Sequence, residues 1–205
     1  MTGHRATDAY VVSNGRAVAT TRALPQEVPV ALVYNGTTQA VMMATPCDLV
    51  DFGRGFTRTE GWSEVDSIEV VHHDAGIEVQ MWLPEDRAET LAKRRRAMAG
   101  PVGCGLCGID SLDQAARAVP AVTSDLALTQ AQIASAMADL RKGQALHDKT
   151  RAVHAAAFFH SDQGLVAIRE DVGRHNALDK LIGATPDCTQ GAVVLTSRVS
   201  VEMVQ

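Results

Sequence analysis

Nine residues near the middle of the chain decide how it can fold. Gly100-Pro-Val-Gly-Cys-Gly-Leu-Cys-Gly108 can sustain neither helix nor ladder, because glycine loses the most backbone entropy on ordering and proline removes a donor. Structure must therefore be built on either side of it. A length of 205 residues accommodates one large domain or two small ones. The expected organisation is a β-rich domain over 1–98, a flexible linker over 99–110 that also carries chemistry, and an α/β domain over 111–205.

On the N-terminal side, Val28 to Tyr34 reads as a strand, and Asn35-Gly36 behind it is a strong hairpin signal with Thr38 to Thr45 as partner. Pro46 and then Asp48 to Phe52 predict the start of a short helix. Val65 to His72 and Gly76 to Leu83 alternate polar and apolar residues, as strands joined by Asp74-Ala75-Gly76 would. Pro84 opens a predicted helix to about Met98, with acids early and Lys93-Arg94-Arg95-Arg96 late, matching a helix dipole.

Beyond the linker, Thr129 and Gln132 have capping-box spacing for a helix ending near Gly143, with Ile133, Met137 and Leu140 on one face. Val153 to Phe159 and Gly164 to Arg169 read as strands around a Ser161–Gly164 turn. Ala177 to Ile182 reads as a helix with Asn176 as N-cap, and Ala192 to Thr196 as a buried strand. Strands alternating with helices imply a sheet covered by helices. Val199 to Gln205 reads as the first turns of another helix without a cap, so the sequence is expected to be shortened at this end.

A formal net charge of -5 argues against broad nucleic-acid binding. The N-terminus lacks the apolar stretch of a secretory signal, and no uncharged apolar run approaches a membrane span. Four cysteines are few for a disulfide scaffold, so thiol chemistry fits better than stapling and the cytoplasm is the expected compartment.

Cys104 and Cys107 form a CxxC pair flanked by glycines. A thiolate is the nucleophile, and it needs exposure and positive surroundings, which the basic run 93–96 could supply. A thiol that accepts sulfur becomes a persulfide. The spacing alone leaves three other readings open: half a zinc site, though no second CxxC or close His pair completes it; a thioredoxin-like redox pair; and a linker with incidental cysteines. A second constellation is Arg169-Glu-Asp-Val-Gly-Arg-His-Asn-Ala-Leu-Asp-Lys180. Arg174 and His175 stand where a helix begins, so its amides could receive a phosphate or a guanine-bearing ligand. The alternative is a charged strand-to-helix turn held by internal salt bridges. Ser197-Arg198 follows an apolar strand and could line a ligand. His154 in an apolar run, His72-His73, Cys47 and Cys188 read as structural or incidental.

Together these motifs resemble one family, the formate dehydrogenase accessory sulfurtransferases. The matching residues are Val33-Tyr-Asn-Gly36, Thr45-Pro46 with Asp48, Glu60-Gly61, Cys104-Gly-Leu-Cys-Gly108, the block Arg169 to Lys180, and Ser197-Arg-Val-Ser with Glu202-Met203-Val204. The resemblance implies a sulfur carrier that takes sulfur from a cysteine desulfurase and passes it to the bis-molybdopterin guanine dinucleotide molybdenum cofactor, activating formate dehydrogenase. It implies Cys104 as persulfide carrier with Cys107 supporting it, and Arg169, Arg174, His175, Ser197 and Arg198 as candidates for holding the cofactor. It further implies a homodimer, guanine nucleotide binding, no resident metal, and a cytidine-deaminase-like three-layer α/β/α C-terminal domain without deaminase chemistry, since the His-x-Glu and Pro-Cys-x-x-Cys zinc pattern is absent. The alternative function is a cofactor-binding chaperone that does no catalysis. One departure stands out: Thr150-Arg151-Ala152 occupies the place of the family's Thr-Gly-Gly. A further expectation is that the family continues past Gln205 into a small-residue loop implicated in cofactor binding.

Overall fold

A computed structural model describes residues 2–62, 65–84, 121–185 and 188–204. The expected helix to Met98, the linker 99–110 and with it Cys104 and Cys107 lie outside the described residues, as does the expected boundary between domains. The chain opens with a hairpin that the hydropathy reading passed over. β1 (His4–Ser13) and β2 (Arg16–Pro25) pair antiparallel from His4 opposite Pro25 to Ser13 opposite Arg16. Asn14 and Gly15 both take positive φ, 51° and 75°, the turn whose twist matches that of two strands.

Four strands follow as a mixed sheet: β3 (Val28–Tyr34), β4 (Thr37–Ala44), β5 (Ser67–His73) and β6 (Gly76–Trp82), in the order β4-β3-β6-β5. Two antiparallel hairpins meet along a parallel β3–β6 pair. The expected Asn35-Gly36 turn is present, with φ 46° and 75°. Asn35 also reaches across to Leu83, accepting from its amide at 2.8 Å and donating to its carbonyl at 3.0 Å. Alternate residues Val30, Leu32, Val79 and Met81 point inward against Phe52 of α1 (Leu49–Thr59), as a strand period of two requires.

The second sheet is antiparallel throughout its described strands: β7 (His154–His160), β8 (Gly164–Asp171) and β9 (Gly191–Leu195), ordered β8-β7-β9. β7 shows both faces of its alternation. Ala156 and Phe158 pack on Ala177 and Leu181 of α4 (Arg174–Ala184), while Ala155 and Ala157 pack on Leu140 of α2 (Gln130–Gly143). Small residues on the central strand thus let helices close on both sides. The chain is mixed α/β. α3 (Ala145–Thr150) and α5 (Val201–Val204) complete the helices described.

Two local expectations are corrected. The Thr129–Gln132 capping box opens α2 as expected, but Ile133 and Met137 are half exposed. The buried pair is Ala136 and Leu140, one turn apart, with Leu140 packed on the alanines of β7. Asn176 is not the N-cap of α4. Gly173 holds that place, and the Asn176 amide donates instead to the Met43 carbonyl at 2.9 Å and to Asp171 at 3.0 Å.

The helices α1 and α4 meet almost backbone to backbone. A Cβ on Gly55 would collide with the Asp179 carbonyl, and one on Gly183 with that of Asp51. This crossing places the mixed sheet and the antiparallel sheet on opposite sides of a helical layer.

Candidate functional site at the first turn of α4

The block Arg169 to Lys180 divides into two sets of side chains with different tasks. Most of it clamps the two sheets together. Asp171 and Lys180 are both fully buried and lie 2.6 Å apart. Lys180 Nζ also donates to the Thr45 carbonyl at 2.9 Å. Asp171 accepts from the Thr45 amide at 3.0 Å, from the Gly173 amide at 2.8 Å and from Asn176. A buried ion pair survives only when its remaining lone pairs and protons are served in this way. Arg169, a candidate ligand-holding residue, is engaged as well: its guanidinium donates to Asp51 Oδ2 at 2.9 and 2.7 Å. Glu170 caps α3 by accepting from the amides of Leu146 and His147 at 2.7 and 2.8 Å. At these positions the structure follows the salt-bridged-turn reading.

Arg174 and His175 are the exceptions. They occupy the first turn of α4, where unserved amides and the helix dipole favour negative charge. Both side chains are about a quarter exposed, at 28% and 26%. Facing them is Glu202 of α5. Its Oε1 lies 3.0 Å from His175 Nε2 and 3.6 Å from Arg174 Nη2, and accepts from Ser200 Oγ at 2.7 Å. The Ser200 and His175 contacts, with its own backbone amide, hold the Glu202 carboxyl down at about 2. Arg174 Nε is buried without a hydrogen-bond partner among the described residues. His154, at the edge of β7, has its pKa lowered by burial and then by the nearby Arg174 charge; it belongs to the same neighbourhood.

Ser197 and Arg198 enter from the end of β9 on the segment that carries Glu202. Ser197 Oγ donates to the Arg198 carbonyl at 3.1 Å, and Arg198 is exposed. The structure thus sets Arg174 and His175 on the α4 turn against Glu202, carries Ser197 and Arg198 on the segment leading to Glu202, and draws Arg169 away to Asp51. Glu202 is the residue that the sequence reading left without a role. Nothing in spacing could have paired it with His175, 27 positions earlier.

Two further expectations can be placed. Cys47 lies in an open depression with Pro46, Asp48, Leu49, Val50, Val70 and His72. Burial pushes its thiol up, the reverse of an activated nucleophile. Arg151, where the resemblance leads one to expect glycine, takes a left-handed φ of 57° at the end of α3. The backbone keeps the turn that glycine would make at no cost. Among the described residues, no helix is long and apolar enough to cross a membrane.

A family model described as the FdhD/NarQ family matches residues 25–205. The chain belongs to the FdhD/NarQ family. Within that family it is 52% identical over 193 residues to the sulfur carrier protein FdhD of Agrobacterium fabrum, covering 90% of this chain and 71% of the relative. FdhD of Brucella abortus is also 52% identical, over 90% of this chain and 72% of its own. FdhD of Cupriavidus necator is 48% identical over 87% of this chain and 65% of its own. The fold resembles a crystal structure from Desulfotalea psychrophila described as a formate dehydrogenase accessory protein. That match has a TM-score of 0.69 at 22% identity and covers 98% of this chain and 76% of the other. The FdhD/NarQ match spans the clamp, the α4 turn and Glu202, while most of the β1–β2 hairpin precedes it.

Proposed function

We propose that the chain is a sulfur carrier: Cys104 accepts sulfur from a cysteine desulfurase and the chain delivers it to the bis-molybdopterin guanine dinucleotide molybdenum cofactor, on which formate dehydrogenase depends. The observation that carries this reading is the 52% identity, over 90% of the chain, to a protein named as a sulfur carrier. The glycine-flanked CxxC of Cys104 and Cys107 supplies the thiols the activity needs.

The transfer balances in two steps. Cys104 thiolate attacks the outer sulfur of the desulfurase persulfide; that S–S bond breaks, the donor leaves as a thiolate, and Cys104 becomes a persulfide. Cys107 thiolate then attacks the inner sulfur, forming a Cys104–Cys107 disulfide and releasing hydrosulfide to the molybdenum centre of the substrate. The two thiols supply the electrons, and an external dithiol resets the pair.

The α4 turn is the candidate for holding the substrate's phosphates, through Arg174 and His175 with Ser197 and Arg198. We place Arg169 behind them, as the residue that fixes α1 through Asp51. The same reading takes the chain as a cytoplasmic homodimer and its second sheet as deaminase-like.

Peptide mass spectrometry after incubation with a cysteine desulfurase and free cysteine tests the carrier step. One added sulfur on the Cys104 peptide, lost on reduction and absent from Cys104→Ser, is the expected result. No adduct in a folded sample overturns the carrier role. A Cys104→Ser protein that still sustains formate dehydrogenase would instead make the chain a cofactor chaperone.

A further inference from the structure

We infer that Glu202 is a built-in counter-ion of the α4 turn, competing with anionic ligands for Arg174 and His175. The inference rests on the reading of that turn as the phosphate site and adds how access to it is set. The carboxylate stands where an incoming phosphate would, 3.0 Å from His175 Nε2 and 3.6 Å from Arg174 Nη2. An anion approaching from solvent therefore meets positive charge that is already cancelled. Ser200 Oγ, bonded to the same carboxylate oxygen at 2.7 Å, holds it in place.

The carboxylate serves Arg174 incompletely. The 3.6 Å separation exceeds a good hydrogen bond, and Arg174 Nε is buried with no acceptor among the described residues. A phosphate has oxygens enough for both nitrogens of the guanidinium edge.

Calorimetric titration of the full chain with inorganic pyrophosphate, and separately with GDP, tests this. Glu202→Gln retains the shape and most hydrogen bonds of the side chain and removes its charge. It is expected to bind pyrophosphate on the order of tenfold more tightly than the wild type, given the cost of a like charge at this range. Ser200→Ala, which frees the carboxylate, should shift binding the same way by less, and keeps the test open if Glu202→Gln does not fold. Arg174→Gln should weaken binding of both probes. Wild-type binding with equal or weaker binding by Glu202→Gln and Ser200→Ala would overturn the counter-ion role and leave the phosphate site standing. Absence of binding by the wild type and Glu202→Gln, or binding indifferent to Arg174→Gln, would overturn the site and the inference with it.

Discussion

Asp179 sits where α1 and α4 meet, accepting one hydrogen bond from Thr59 Oγ1 at 3.0 Å. Burial, with smaller repulsion from Glu60 and Asp171, lifts its pKa from 3.8 to about 7. The sign of the pH effect follows. Between those values the unfolded chain has released a proton that the folded chain keeps, so this residue weakens the fold as pH rises through the interval. Above it the penalty is constant. Asp179→Asn should therefore stabilise the protein by roughly 2–3 kcal/mol more at about pH 8 than at about pH 5, by urea denaturation. Equal gains at both values would show that the buried carboxyl is not held protonated. Asp171, fully buried, has four donors, Lys180 among them. The sequence showed that charges crowd between Arg169 and Lys180, but not which of them face inward. That depends on partners 118 and 135 positions away, such as Asp51 and the Thr45 carbonyl.

At the level of elements, the α1–α4 crossing is set by glycine. Replacing an interior helical glycine by alanine ordinarily gains up to about 1 kcal/mol. Here the sign reverses, because the added methyl would meet a backbone carbonyl that cannot step aside. Gly183→Ala should cost about 3 kcal/mol or more. Gly143→Ala, whose Cβ meets only the flexible ends of Ile168 and Leu165, should be mild. Thermal unfolding of the two variants decides it, and equal midpoints would mean that the helices separate more easily than their packing implies. Most strands were legible from alternation and turn residues, and Asn35-Gly36 marks its hairpin plainly. Asn14-Gly15 carries the same signal, but β1 and β2 show no regular alternation of apolar and polar residues, and without it the strand period is silent. The start of α4 was misplaced because Asn176, a good capping residue by type, is drawn to Met43 on the far side of the contact.

Across the whole molecule, the mixed sheet and the antiparallel sheet are tied by the Asp171–Lys180 pair at Thr45, by Arg169 with Asp51, by Thr59 with Asp179, and by Arg58 with the Ile182 carbonyl at 3.0 Å. So dense a contact should make the halves unfold together. Both tryptophans, Trp62 and Trp82, belong to the first half, so their fluorescence reports that half alone while far-UV circular dichroism reports both. The two denaturation curves should coincide. A fluorescence transition that precedes the dichroism change would show the halves to be independent. This joint was not legible in the sequence, because much of it is made by main-chain atoms that no residue type betrays.

That use of main-chain atoms makes the positions of the joint unequal in what they can tolerate. Met43 lends only its carbonyl to Asn176 and leaves its side chain half in water, so its identity is nearly free to drift. Asn176, Lys180 and Asp171 hold their places by side-chain chemistry and are not free. Over generations Met43 would accumulate change while Asn176, Lys180 and Asp171 stood still. A reader of the resulting pattern would take for a binding signature what is, in large part, the fixed part of a joint.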